Sequence, residues 1–536
     1  MQMPVQKFRF DSTSRPGKFL TRFTREEDGV LIVFGVYVFL IILLIGGIGV
    51  DLMHFERERS KLQSTLDRAV LAAADLDQTQ DAAVVVADYF SKAGLSEYLG
   101  AISVDEGLGY KVVTGNAQLE MDTQFMHMTG VETLTTNAPN AIISTAEERI
   151  DGVEISLVLD VSGSMNSNSR LTNLKVAARE FIDEMVDNTE DGNLSISIIP
   201  YATQVSAPSV FFDELNMTGD NDYSNCINFQ SGDFNETALN PDTARERTMH
   251  FDPWRTRDGR DDDPVNLVTR PVCEARSSRE MMIMQKDADT LKTFISNLSA
   301  TGNTSIDIGM KWGTALVDPS LNPVITTMIA AGEVDGDFAA LPRAYSDSDT
   351  LKVIVLMTDG QNTSQYYIND GFRTGNSNIW WNEEQERYSV YDPGRDEYYW
   401  RHSGDWEDHP YGDEETGTAA NLTYAELWAY TSIKWNVKYN YYPWMNDSQA
   451  YSDWYSSVRK YVGSSTKNAR ALAICDAAKD QQIIVFTIGF EAPSSGESLL
   501  LQCASSDSHY FDADGTEISE AFASIASSIR KLRLTQ

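Results

Sequence analysis

Positive charge is scarce in this sequence: 43 Lys and Arg stand against 79 Asp and Glu, for a formal net charge of -36 over 536 residues. A protein that grips nucleic acid needs a basic footprint to replace phosphate counterions, so nucleic acid is excluded as a general partner. Catalytic signatures are missing as well. There is no P-loop, HExxH zinc motif or GxSxG elbow, and the six histidines are scattered, so the chain reads as a non-enzyme. His54 flanks an apolar run and His509 precedes an edge strand, both structural positions. Cysteine is rare, and Cys226, Cys273, Cys475 and Cys503 show no Cys-x-x-Cys spacing, which argues against a zinc ribbon. An even set suits two disulfides in an exported protein. Of the three pairings open to four cysteines, Cys226 with Cys273 and Cys475 with Cys503 are expected, because each pair brackets one local unit. No repeat of solenoid period is evident.

What is present begins with length and apolar content. A chain of 536 residues, 42% hydrophobic, is too long for one core and divides into modules. Residues 30–50, VLIVFGVYVFLIILLIGGIGV, carry no charge. As a helix rising 1.5 Å per residue they span about 30 Å, the thickness of a bilayer's hydrocarbon core, so the run predicts one transmembrane helix. Lys7, Arg9, Arg15, Lys18, Arg22 and Arg25 precede it, whereas Arg57, Arg59 and Lys61 after it are offset by Glu56 and Glu58. The positive-inside rule then makes residues 1–29 a cytoplasmic tail and exports everything after Asp51. Beyond the membrane, Leu52, Phe55, Leu62, Leu66, Ala69, Ala73 and Leu76 recur at helical spacing, so one helix continues outward and packs on strands such as YKVVTGNAQLEM and NAIISTAEERI. Residues 51–150 form a small α+β stalk.

From Asp151 onward, short β-rich runs alternate with amphipathic helices, the pattern of a doubly wound, mostly parallel α/β sheet. The strands are GVEISLVLD, LSISIIPY, LKVIVLMTD and IIVFTIGF. The helices start near Arg170 and run over about 289–298, 305–316, 467–479, 495–504 and 517–532. Ligands of such sheets sit beyond the carboxyl ends of the strands. There the first strand ends in DVSGSM, whose Asp160, Ser162 and Ser164 alternate on a turn and can converge on one point. A hard cation asks for oxygen ligands in near-octahedral geometry. LKVIVLMTDG places Asp359 at another strand end, and ATGNTSIDIG puts Thr304 in a loop just before a helix.

These three pieces, in this order, resemble the metal-ion-dependent adhesion site of von Willebrand factor A-type (vWA) domains, a Rossmann-like fold. The resemblance implies one Mg²⁺, or Mn²⁺ or Ca²⁺, held by Ser162, Ser164 and Thr304 as hydroxyl ligands, with Asp160 and Asp359 binding directly or through water. The anchor, the Ala-rich DRAVLAAADL, the stalk, DVSGSM, the late LLLQCASSDSHYFDADG and the closing AFASIASSIRKLRLTQ together are similar to the TadG-like proteins of Flp, or tight-adherence, pilus systems. That likeness implies a protein of the bacterial inner membrane. It also implies a protein partner, such as a pilus or assembly subunit, whose carboxylate completes the metal; a structural, pseudopilin-like role is the alternative. Pilin-like relatives are cut after a Gly with Glu five residues on, but Gly29 is followed there by Phe34, so the anchor should remain.

Two insertions interrupt the 151–536 domain. The first, 206–287, reads as a disulfide-closed loop whose DGRDDD, Asp258 to Asp263, is a solvated acidic face. The second, 363–462, holds eight of the ten tryptophans and should lie beside the metal face. Its rings make either a recognition surface or the core of a small loop-rich subdomain. The late Asp512, Asp514 and Glu517 read as a strand end and helix cap.

Overall fold

The computed structural model describes residues 28–529 except 76, 77, 79, 108, 109, 137–140, 150, 151, 188, 190, 348 and 349. The basic tail with its orientation signal, Leu76, Asp151 and Leu532 lie outside the described residues. The chain divides into two compact units at Arg149 and Ile150.

In the first unit one helix, α1 (Asp28–Ala74), is unbroken through the apolar run and far beyond it. It is long and apolar enough to cross a membrane. Its outer part buries Phe55, Leu62, Leu66, Ala69 and Ala73 of the expected stripe, with Val70 beside them, while Leu52 is exposed. The stripe meets a second helix, α2 (Ala82–Lys92), and an antiparallel sheet of β1 (Leu99–Gly107), β2 (Tyr110–Ala117) and β3 (Ile142–Arg149) in the order β1-β2-β3. Helix-on-sheet packing is what the periodicity predicts, and Gly115 permits its closeness: a Cβ there would stand 2.8 Å from Leu66. β1 is absent from the sequence reading because its acidic, glycine-flanked LGAISVDEG lacks a clean alternation.

The second unit is built on a mixed six-stranded sheet. Its strands are β4 (Gly152–Asp160), β5 (Leu194–Tyr201), β6 (Met282–Gln285), β7 (Thr350–Thr358), β8 (Ile484–Phe490) and β9 (Tyr510–Ala513), in the spatial order β6-β5-β4-β7-β8-β9. All neighbours are parallel except β6, which runs antiparallel on the edge. Because alternate residues of a strand face opposite ways, β4 feeds two cores. Ile155, Leu157 and Leu159 meet α3 (Arg170–Asp187), α4 (Ala288–Asn297) and α8 (Glu517–Ile529). Val158 points to the other face, with α5 (Ile306–Ala315), α6 (Ser464–Asp480) and α7 (Ser494–Cys503). The strand order reverses between β4 and β7, and a crevice opens at such a point beyond the strand ends.

The first insertion is more than a loop. Phe211, Phe212, Phe229 and Phe234 are buried in the same core as Trp312 of α5, and Cys226 is joined to Cys273. Its range needs correction at the C-terminal end, since β6 lies inside the stretch read as 206–287 and belongs to the main sheet. Of DGRDDD, Asp261, Asp262 and Asp263 are exposed as expected, but Asp258 is buried: it accepts from Arg260 N at 3.0 Å and from Tyr388 Oη at 2.9 Å. The second disulfide, Cys475 to Cys503, ties α6 to α7.

The second insertion is entered by the strand Gln365–Ile368 and left by Arg459–Val462, which pair with each other antiparallel. Beyond this two-stranded ribbon lies an antiparallel sheet of five strands, running from 376 to 423. Trp381, Tyr388, Tyr399, Trp428, Trp435 and Tyr441 are buried in a core separate from those of the main sheet, shared with Met249, Phe251 and Val272 of the first insertion. Most of the aromatic crowd thus serves packing; Tyr439, Tyr451 and Tyr461 are exposed.

Candidate metal centre

The sheet brings the sequence-predicted residues to one place. β4 is buried along its length and ends in Asp160, wholly shielded from solvent, while the neighbouring β7 ends at Thr358, so Asp359 arrives beside it. Thr358 Oγ1 donates to Asp160 Oδ2 at 2.6 Å, and Ser162 N donates to Oδ1 at 2.7 Å. The chain then turns through Gly163–Asn166, which places Ser162 Oγ 3.0 Å from Ser164 Oγ. Ser164 Oγ donates to Asp359 Oδ1 at 2.8 Å. Ser164 alone of the five is an exposed residue, so the set comes nearest the surface there.

Thr304 comes from a loop gripped on several sides. Gly302, at φ +86°, lets the backbone pass Thr203 and offers its carbonyl to Gly163 N at 3.0 Å. Thr304 N donates to Thr363 Oγ1 at 2.9 Å. Lys467 of α6, fully buried, donates through Nζ to Thr304 O at 2.7 Å, Ser305 Oγ at 2.6 Å and Thr363 O at 2.9 Å. Burial pushes this ammonium down to about 8, against the pull of Asp307. Thr304 Oγ1 lies 3.9 Å from where a Cβ on Gly360 would be, next to the turn that carries Asp359.

Three further residues complete the site, and sequence reasoning missed them. Arg170 donates from Nη1 to Asp359 Oδ2 and from Nε to Glu491 Oε2, both at 2.8 Å. Asn168 Nδ2 donates to the same Glu491 oxygen at 3.2 Å. Arg170, then Asn168, hold the Glu491 carboxyl below the usual range. Asn168, Ser169 and Glu491 are non-glycine residues at φ between +51° and +60°. Each such conformation costs on the order of 1–3 kcal/mol and tends to mark a functional turn. Glu491 follows β8, so the rule about strand ends could have found it; no local pattern marks Arg170.

The donor chemistry fits a small divalent cation. Metal–oxygen bonds of about 2.1 Å at right angles put neighbouring ligand oxygens about 3.0 Å apart, close to the Ser162–Ser164 and Ser164–Asp359 spacings of 3.0 and 2.8 Å. Charge points the same way. Asp160, Asp359 and Glu491 gather around Arg170, and although buried Lys467 and Arg279 also feel the Asp160 charge, burial followed by the Asp359 charge pushes Asp160 up to about 7. A buried carboxylate beside another is relieved by a cation. Among the described residues no group of three or more His, Cys, Asp or Glu side chains is disposed to hold a metal ion; here two carboxylates are supplemented by hydroxyls.

A profile of the Flp pilus-assembly TadE/G-like family, Tad, matches residues 29–76. No curated protein matches the chain. Among solved structures, the vWF domain of the type V pili tip protein Mfa5 from Porphyromonas gingivalis is similar at 14% identity and a TM-score of 0.30, over 71% of this chain and 95% of that one. The adhesive tip pilin GBS104 from Group B Streptococcus agalactiae is similar at 12% identity and 0.30, over 70% and 100%. Proximal thread matrix protein 1 from the mussel byssus, with a zinc-occupied MIDAS motif, is similar at 11% and 0.25, over 72% of this chain and 49% of that one. Likenesses this distant carry no argument, and the site stands on its own geometry. Residues 29–76, which take in nearly all of α1, carry the TadE/G-like signature of Flp pilus assembly, the family to which the sequence pointed.

Proposed function

We propose that this protein is a membrane-anchored, metal-dependent binding component of Flp/Tad pilus assembly or surface attachment, not an enzyme. In this reading residues 1–29 are a cytoplasmic tail, 30–50 a single-pass span of the bacterial inner membrane, and 51–150 a pilin-like stalk. Residues 151–536 are an exported, doubly wound, mostly parallel vWA domain with two insertions. Two disulfides suit an oxidising compartment.

The observation that carries the reading is the unbroken oxygen chain Ser162–Ser164–Asp359 at the strand-order reversal, with Asp160 beneath it. Asp160, Ser162, Ser164, Thr304 and Asp359 would hold Mg²⁺, with Mn²⁺ and Ca²⁺ the other ions to test. When bound, the ion supplies an open coordination position that takes a carboxylate oxygen from a protein partner. The chain's own residues do the positioning: Lys467 sets the height of Thr304, Arg170 orients Asp359, and exposed Ser164 marks the side of approach. The test is capture by the full-length protein in lipid nanodiscs, first with magnesium and then with chelator. Pilus or assembly subunits should be retained only with magnesium, and Asp160→Ala should abolish retention while membrane attachment persists. An identical set of retained proteins in both conditions refutes the proposal.

A second reading is a pseudopilin-like structural subunit whose metal site only stabilises loops. The Arg170 bridge, which already pairs Asp359 with a positive charge, favours it. Under that reading Asp160→Ala lowers stability and leaves capture intact.

A further inference from the structure

The turn Met126–Thr129 stands beside the apolar run of α1, at a height set by two contacts. Asp51, one residue past the end of that run, is buried and accepts three backbone N–H groups, from Gln124 at 3.2 Å and from Phe125 and Met126 at 2.8 Å. Gly47, inside the run, is covered by Phe125: a Cβ on Gly47 would stand 2.5 Å from Phe125 Cγ. Gly47 precedes Val50 by three residues, so at 1.5 Å per residue the Phe125 ring lies about 4–5 Å inside the end of the uncharged stretch. Interfacial segments embed their apolar side chains to about 5–10 Å.

The composition of the turn agrees with that depth. Between Asp122 and Glu132 the chain reads TQFMHMTGV, and His127 is its one titratable side chain. Met128 is 71% exposed and Val131 37%. These side chains are not unfinished core, since the stalk closes over Phe55, Leu62 and Leu66 without them. The turn that carries them is held to α1 at Gly47 and Asp51, so whatever solvates the end of residues 30–50 also reaches the turn.

We infer that residues 125–131 form a second membrane contact, in which Phe125, Met126 and Met128 enter the lipid interface where α1 leaves the bilayer. The Asp51 bonds make the contact rigid, so the turn limits the tilt of the helix and fixes which side of the stalk faces the lipid. The inference rests on reading residues 30–50 as a membrane span. It goes beyond that reading, because a span needs no second contact.

The experiment uses the full chain in phosphatidylcholine–phosphatidylglycerol vesicles with a single nitroxide. All four native cysteines are in disulfides, so one added thiol is labelled uniquely. Met128→Cys tests the turn without displacing packing, and Val36→Cys, exposed in mid-run, tests the span. Ile143→Cys is the aqueous control. Its carbonyl accepts from Gln63, thirteen residues or about 20 Å beyond Val50. Collisions with oxygen should exceed those with a water-soluble nickel chelate at positions 36 and 128, and the ratio should invert at 143. Lipid-like behaviour at 36 with water-like behaviour at 128 overturns the second contact and leaves the span standing. Water-like behaviour at both positions overturns the two together.

Discussion

Replacing Lys467 with methionine removes the donor that pins the Thr304 loop while nearly preserving side-chain length. Nζ makes three bonds, to Thr304 O, Ser305 Oγ and Thr363 O, at 2.6 to 2.9 Å. Bonds from a charged donor contribute about 1.5–3 kcal/mol each, or about 6 together. The substitution also ends the burial of an ammonium, which costs several kcal/mol and returns about 3. The loss wins by about 3 kcal/mol, roughly a 100-fold shift in the equilibrium for opening the loop. Hydrogen exchange reads this directly. The amides of Thr304, Thr363 and Ile306 donate to Thr363 Oγ1, Thr304 O and Asn362 Oδ1, so peptides covering 303–306 and 361–365 should exchange about 100-fold faster. Peptides from β4 serve as the unchanged reference. Rates in the loop within about threefold of wild type would show that Asn362 and Thr203 suffice, and the role given to Lys467 would be wrong.

Asp160→Asn should abolish the heat of magnesium binding by calorimetry and leave thermal stability in chelator equal or higher, because the neutral isostere no longer repels Asp359. Gly496→Ala should destabilise by about 1–3 kcal/mol and weaken magnesium binding, since overpacking must be relieved; the added Cβ would stand 2.2 Å from Gly360 O and press on the turn that carries Asp359. Denaturant unfolding with and without magnesium checks both effects. Lys311, buried with Nζ on Glu236 O at 2.7 Å and Ala238 O at 2.9 Å, is pushed by burial down to about 8. An unfolded lysine keeps its proton to about 10.4, so between those values the unfolded chain holds more protons and stability rises with pH, by about 3 kcal/mol in all. The difference in unfolding midpoint between wild type and Lys311→Met should therefore change from pH 8 to 10.5; a constant difference would contradict the assignment.

The parts of the fold that were legible are those with local causes. β4, β5, β7 and β8 are β-branched runs buried on both faces, and their ends follow the reading to within a residue. Asp160, Ser162 and Ser164 stood out because their spacing is set by one turn. β6 escaped notice because Met282–Gln285 has one β-branched residue, a register shift and Met284 at φ +41°. Arg170, Glu491 and Lys467 escaped for another reason. Their partners are 104 to 323 residues away in sequence, and only the assembled sheet creates those pairs. The aromatic insertion was visible as composition, yet whether a ring faces core or solvent depends on sheet pairing that composition does not encode.

The ribbon formed by Gln365–Ile368 and Arg459–Val462 places the start and finish of the aromatic excursion side by side, about 5 Å apart. A detour that returns to its own doorstep puts no tension on its host, and the entropy of closing it grows only slowly with length. Length in its outer strands can therefore vary at little entropic cost, whereas the rings that share a core with Met249, Phe251 and Val272, and the Tyr388 hydroxyl on Asp258, tie the two insertions to each other.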